Sequence, residues 1–127
     1  MKFLIFLGTA RNSTPPAPAR LGVRVVEALL TLLKSQYETH DITLIDVLDY
    51  PLDAVFKPHF AYAKNKAPAE LNNLAQIIAS ADGYIMVSPE YNHAMSPALA
   101  NLLNHFGSSL FYYKPSAIVT YSAGQWG

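Results

Sequence analysis

The sequence predicts an α/β protein built as an open, doubly wound parallel sheet, three layers deep, with helices on both faces. Three observations carry that expectation. Short apolar runs alternate with amphipathic stretches in the order strand, helix, strand, helix, strand, helix, strand. The first and third runs are apolar at nearly every position rather than at alternate ones, as strands buried on both faces are. With 51% hydrophobic and 14% charged residues, the 127-residue chain can bury the core of one domain, spanning 1–127, and is not a disordered chain.

Phe3 to Leu7 is the first strand, closing on Gly8. The segment Arg11 to Ala19, with Pro15, Pro16 and Pro18, must be a loop. Leu21 to Lys34 places Leu21, Val25, Leu29, Leu32 and Leu33 at helical spacing, with a second row at Val26 and Leu30. Ile42 to Asp46 is the second strand, and Asp49 to Lys66 is a long irregular connection. Pro68 and Glu70 suit the start of a second helix, whose stripe of Leu71, Leu74, Ile77 and Ile78 runs to about Ala81. Gly83 to Ser88 is the third strand. Ser96 as N-cap and Pro97 at the first position open a third helix, with Leu99, Leu102, Leu103, Phe106 and Leu110 on its inner side. Ala117 to Tyr121 is the fourth strand. A flavodoxin-like sheet, ordered 2-1-3-4-5, needs a further helix and a fifth strand. The sequence thus reads as a truncated form in which the fourth strand is an apolar sheet edge awaiting cover.

Nine Lys plus Arg balance nine Asp plus Glu, which excludes the usual basic surface for nucleic acid and polybasic attachment to anionic membrane. The absence of cysteine removes disulfide scaffolds, thiolate metal sites and cysteine nucleophiles. The N-terminal apolar run stops after five residues at Gly8, short of a secretory core, and no stretch is long enough to insert into a bilayer. The expected location is the cytoplasm.

Right-handed crossovers open a crevice beyond the carboxyl ends of the strands, and three segments leave the sheet there. The first is Gly8-Thr9-Ala10-Arg11-Asn12-Ser13. Its backbone amides, the hydroxyls of Thr9 and Ser13 and the fixed charge of Arg11 suit a phosphate monoester, with Arg20 as a second cation. A solvated polar turn with surface arginines is the plainer alternative. The Walker pattern and Gly-x-Gly-x-x-Gly are both absent. In the second segment, Pro89-Glu90-Tyr91-Asn92-His93, a carboxylate, phenol, amide and imidazole crowd together and suit a planar heterocycle. Glu90 and His93 could equally form an acid/base or metal pair, or Glu90 and Asn92 could simply cap the following turn. The third segment, Ser122-Ala123-Gly124-Gln125-Trp126-Gly127, lets backbone approach a ligand closely. His40, His59 and His105 read as structural or solvated. A hydrolase triad has no Gly-x-Ser-x-Gly anchor, and an acidic cluster for phospho-acceptance is missing from the first strand's end.

Together these loops resemble the NADPH-dependent FMN reductase family, which includes flavodoxin-fold quinone and azo reductases. Gly8-Thr9-Ala10-Arg11 is similar to the family's Gly-Ser/Thr-x-Arg phosphate loop, and Arg20-Leu21-Gly22 to the Arg-x-Gly that often follows. Pro89-Glu90-Tyr91-Asn92-His93 resembles its Pro-Glu-Tyr-Asn-His/Gly segment, and Pro97-Ala98-Leu99-Ala100-Asn101 its Pro-x-x-Leu-Lys-Asn continuation. Ser122-Ala123-Gly124 opens like its Ser-x-Gly-x-x-Gly-Gly loop. The insertion Ser13 to Ala19 departs from the pattern.

The resemblance implies non-covalent FMN, with Thr9, Arg11, Ser13 and Arg20 at the phosphate. Pro89, Glu90, Tyr91, Asn92 and His93 would hold the isoalloxazine edge, and Ser122, Ala123 and Gly124 would line its other side. It also implies passage of hydride from NAD(P)H through FMN to a quinone, azo compound, free flavin or metal ion. No side chain is then needed as a catalytic acid or base, and no resident metal is expected. Family members are commonly homodimers or homotetramers, and Phe106 to Tyr113 could join an interface. The competing readings are a flavin-binding redox-sensing or interaction module without turnover, and a structural fragment that dimerises through its fourth strand.

Overall fold

The computed structural model describes residues 1–10, 20–52, 57–122 and 124. It has four parallel strands, β1 (Lys2–Leu7), β2 (Asp41–Asp46), β3 (Gly83–Pro89) and β4 (Ser116–Tyr121), in the order β2-β1-β3-β4. The helices are α1 (Leu21–Gln36), α2 (Ala69–Ser80) and α3 (Pro97–Asn104). This is the expected α/β class, and the strand order is that of the first four flavodoxin strands. No described helix is long and apolar enough to cross a membrane.

β1 lies inside the sheet and is buried on both faces. Leu4 and Phe6 enter one core with Leu74, Ile78, Leu99, Leu102 and Phe106 from the α2–α3 side. Ile5 and Leu7 enter a second core with Val26 of α1 and Val87 of β3. Strict alternation between two apolar layers explains why the run Phe3–Leu7 contains no polar position. β2 and β4 are the outer strands, and Ile118 of β4 is 71% exposed.

Two helices differ from expectation. The buried positions of α1 are Gly22 and Val26, with Leu29, Leu30 and Leu33 half-buried, while Leu21 and Leu32 face solvent. A glycine counts for nothing in an apolar tally, yet at position 22 it lets the helix approach the sheet most closely. The third helix ends at Asn104 rather than reaching Leu110, and His105 is its buried C-cap. Gly107, with extended ψ of 153°, keeps the helix from resuming, and Phe106 reaches the same core from the bend before it and Leu110 from the 3-10 turn after it. His40 stacks on Phe3 at 5.6 Å and His59 bonds Asn72 Oδ1 at 3.0 Å, both in structural settings.

The start of α3 follows the sequence closely. Pro97 occupies the first turn and Ser96 is the N-cap, its Oγ accepting from the Leu99 amide at 3.1 Å. The same hydroxyl donates to the Gly8 carbonyl at the end of β1. The Ser96 amide in turn donates to Ser88 Oγ at 3.0 Å, and Ser88 Oγ donates to the Pro89 carbonyl at 2.9 Å. Ser88 and Ser96 are both buried, so these bonds are made without competition from water.

Ser96→Ala removes a cap and leaves the Gly8 carbonyl without that donor. The expected loss is about 2–3 kcal/mol, from roughly 0.5–2 for the cap and roughly 1–3 for the stranded acceptor. Urea unfolding checks this, with Ser108→Ala, at an exposed site, as a control expected to fall within about 0.5 kcal/mol of the parent.

Candidate functional site

The site is built where β1, β3 and β4 release the chain on the same edge of the sheet. Gly8 follows β1 so tightly that its amide donates to the Val87 carbonyl of β3 at 2.8 Å. A Cβ at Gly8 would stand 2.6 Å from Leu99 Cβ and 3.1 Å from both Ser96 Oγ and the Val87 carbonyl. Only a residue without a side chain lets β1, β3 and α3 meet this closely. Thr9 follows, 3% exposed.

At the far end of the first loop, Arg20 immediately precedes α1. Its Nη1 donates to Asp46 Oδ2 at 2.8 Å, its Nη2 donates to Asp46 Oδ1 at 3.0 Å, and Nη2 also donates to the Thr9 carbonyl. The side chains are 7% and 15% exposed, so this bidentate pair is largely removed from water. Asp46 ends β2, and its Oδ1 additionally accepts from the Leu48 amide at 3.0 Å. The Arg20 Nε–H is buried and has no hydrogen-bond partner among the described residues. No described side chain caps the N-terminus of α1, and its first turn carries no acidic residue. The Val23 amide donates to the Arg20 carbonyl at 3.1 Å, and the other first-turn amides of α1 have no cap from a described side chain.

β4 reaches the same place from the other side. The Glu90 amide donates to the Tyr121 carbonyl at 2.8 Å, so the second segment is tied to the end of β4. The Tyr121 hydroxyl lies where a Gly22 side chain would be, beside Thr9 Cγ2 and Leu7 Cδ1, which a Cβ would approach to 2.8 and 2.9 Å. Thr9 and Tyr121 thus both border the same face of Gly22, although the three residues are far apart in sequence.

The second segment folds into a two-residue turn. Tyr91 and Ala94 exchange both backbone bonds at 3.1 Å, with Asn92 and His93 at φ of 53° and 63°. Two consecutive positive φ values define the tight hairpin turn that favours Asn at its first position. Glu90 Oε1 accepts from the His93 amide at 2.6 Å. Its carboxylate therefore braces the turn, the capping role that sequence left open. Asn92 and His93 are exposed. A cavity of about 560 Å³ lies on the α3 side of β3 and β4, bordered by Ser88, Pro89, Glu90, His93, Met95 and Leu99. Ser122 Oγ accepts from the Gly124 amide at 3.1 Å, a local turn that leaves β4.

The structure accordingly brings Thr9, Arg20, Pro89, Glu90, Tyr91 and Ser122 to one edge. Arg11, Ser13 and Ala123 lie outside the described residues. Among the described residues no group of three or more His, Asp or Glu could hold a metal ion. Sequence reasoning passed over Asp46 as a site residue and gave Tyr121 no role. A lone aspartate closing a strand carries no spacing signal, and Tyr121 read only as strand.

In α1 a glycine would ordinarily cost about 0.8–1.0 kcal/mol relative to alanine. Here the packing of Tyr121, Thr9 and Leu7 opposes that gain with an overpacking cost of about 1–3 kcal/mol. Gly22→Ala is expected to destabilise by about 1 kcal/mol in chemical denaturation, and Gly107→Ala, whose Cβ would meet Phe60 at an ordinary 3.4 Å, to be neutral. Stabilisation by Gly22→Ala would contradict the contact.

The chain resembles known proteins over its full length. The family model described as NADPH-dependent FMN reductase matches residues 1–127. An FMN-dependent NADPH-azoreductase of Staphylococcus saprophyticus is 27% identical over 98% of this chain and 62% of its own length. An NADPH azoreductase of Bacillus sp. (strain OY1-2) is 39% identical over 42% of this chain and 30% of its own length. The chain thus spans less than two thirds of the curated relatives it matches. Among solved structures, a flavoenzyme NAD(P)H:(acceptor) oxidoreductase of Paracoccus denitrificans superimposes with a TM-score of 0.69 at 20% identity, over 98% of this chain and 62% of that one. The apo form of an NADH:FMN oxidoreductase superimposes at 0.68 and 18% identity, over 98% and 59%. These two likenesses concern the fold, while the match of the family model along every residue gives the kinship: the chain belongs to the NADPH-dependent FMN reductase family.

Proposed function

We propose that this chain binds FMN non-covalently at the shared edge of β1, β3 and β4 and serves an NAD(P)H-dependent oxidoreductase. The buried Arg20 Nε–H carries the reading. A charged donor held out of water without an acceptor is costly, and a phosphate oxygen is the acceptor that best offsets that cost. The first-turn amides of α1, which no described side chain caps, and the absence of acid from that turn favour the same dianionic group.

Around that anchor the roles divide by chemistry. Thr9, Arg11 and Ser13 join Arg20 at the phosphate. Pro89, Glu90, Tyr91, Asn92 and His93 hold the isoalloxazine edge, through a turn whose shape the Glu90 carboxylate fixes. Ser122, Ala123 and Gly124 line the ring from the β4 side. Bound there, the flavin supplies the two-electron relay between a nicotinamide donor and an acceptor, which is a quinone, azo compound, free flavin or metal ion. The names of the azoreductase relatives favour the azo class. The protein's part is to orient the ring and shelter it, so no side chain is assigned as an essential acid or base. Operation in the cytoplasm, where reduced nicotinamide is available, and assembly as a homodimer or homotetramer belong to the same reading. Tyr112 and Tyr113, 56% and 97% exposed, are candidates for the interface.

Arg11→Ala tests the phosphate assignment. The variant is expected to weaken FMN by about 1.5–3 kcal/mol, while riboflavin, which has no phosphate, changes far less. Flavin fluorescence titration measures both. Equal losses for the two ligands would remove Arg11 from the phosphate. NADPH oxidation with an azo dye or quinone, above the rate of free FMN, is expected of the wild type. FMN binding without such turnover would instead support a sensing or interaction module, and no FMN binding at all would overturn the proposal.

A further inference from the structure

Asp46 has a role that the reading above does not supply. Arg20 and Thr9 stand at the two ends of the first loop, and the Arg20 Nη2 bond to the Thr9 carbonyl joins them across eleven positions. Asp46 engages both Nη atoms of the same guanidinium and comes from β2, a strand that contributes nothing else to the site. Its two oxygens lock the plane of the fork, which a single acceptor would leave free to rotate. With both Nη atoms engaged, Nε is the guanidinium nitrogen left buried without a partner among the described residues. The Leu48 amide bond fixes the carboxylate itself.

We infer that Asp46 is a positioning residue for the phosphate of the bound flavin nucleotide. It holds Arg20 so that one guanidinium closes the loop through Nη2 and presents Nε–H to the phosphate. The inference rests on FMN binding as proposed above and deepens it. Asp46 touches neither the flavin nor the phosphate, so its effect passes wholly through Arg20. Because Arg20 and Thr9 are bridged before the ligand arrives, the entropy of bringing these two residues together is not charged to binding.

Asp46→Asn and Asp46→Ala, with Asp46→Glu as the conservative restoration, test this by flavin fluorescence titration with FMN and with riboflavin. Hydrogen exchange of the ligand-free protein and urea unfolding complete the measurement. For Asp46→Asn we expect about tenfold weaker FMN, riboflavin within twofold, and faster exchange at Gly8 to Ala10 with a smaller change in the global unfolding midpoint. Asp46→Glu is expected to recover part of the FMN affinity. Arg20→Lys, which keeps the charge but not the fork, is expected to lose as much as Asp46→Asn.

Equal losses for FMN and riboflavin would make Asp46 merely structural and overturn the inference. Tighter FMN in Asp46→Asn would overturn it in the opposite sense, since Asp46 would then compete with the phosphate for Arg20. Should the wild type fail to bind FMN, the proposed function falls, and hydrogen exchange still decides the clamp. Unchanged exchange at Gly8 to Ala10 in Asp46→Asn would refute it independently of any ligand.

Discussion

A single buried hydroxyl, that of Ser96, ties together the edge of the sheet at which β1 and β3 release the chain. It accepts from the Leu99 amide and donates to the Gly8 carbonyl, so the start of α3 and the end of β1 share one atom. Ser88 extends the chain of bonds to the end of β3. A parallel sheet by itself lines up the carboxyl ends of its strands but leaves each loop to find its own path. Here the paths are fixed by backbone groups that have no other way to be satisfied away from water. Gly8 makes that geometry possible because a methyl group would collide with Leu99.

The other half of the edge is held electrostatically. A guanidinium removed from water needs compensation for its lost hydration, and a bidentate carboxylate offers the best-shaped compensation available from a side chain. Asp46 supplies it across the β2–β1 boundary, while the Thr9 carbonyl takes a further Nη2 bond. The ion pair is neutral overall, so the nearby α1 N-terminus keeps its attraction for an anion. Two different physical means, a neutral hydroxyl relay and a charged fork, therefore hold adjacent parts of one loop.

Sequence disclosed the parts of this arrangement that leave a periodic or positional trace. The unbroken apolar run of β1, the Ser96–Pro97 helix start and the alternation of strands with helices follow from residue type and spacing, whereas the strand order comes from the likeness to a flavodoxin-like sheet. What escaped were contacts that depend on which residue lies opposite which. Leu21 and Leu32 fit a helical stripe on paper but face solvent, because the closest approach of α1 is centred on Gly22. Phe106 and Leu110 keep the spacing of a continuing helix, yet Gly107 turns the chain and both enter the core by another route. Asp46 could not be paired with Arg20 until the register of β1 with β2 set Leu7 beside it. The loop motifs were visible as chemistry, whereas the bonds that join them were not.

The two outer strands of the sheet differ in what borders them. β2 begins with the exposed Asp41, a charge that discourages further strand pairing. β4 carries no charge, is apolar from Ala117 to Val119, and borders cavities of about 560 Å³ on one face and about 390 Å³ on the other. Its carboxyl end is nevertheless held from the inner side. β3 pairs with it from Ser116 to Tyr121, the Glu90 amide donates to the Tyr121 carbonyl, and the Tyr121 hydroxyl lies against Gly22. Each of those contacts runs toward β1 and α1 rather than outward. The placement of Tyr121, and with it the start of the Ser122–Gly124 turn, is thus fixed by the same interior that fixes Gly8 and Ser96.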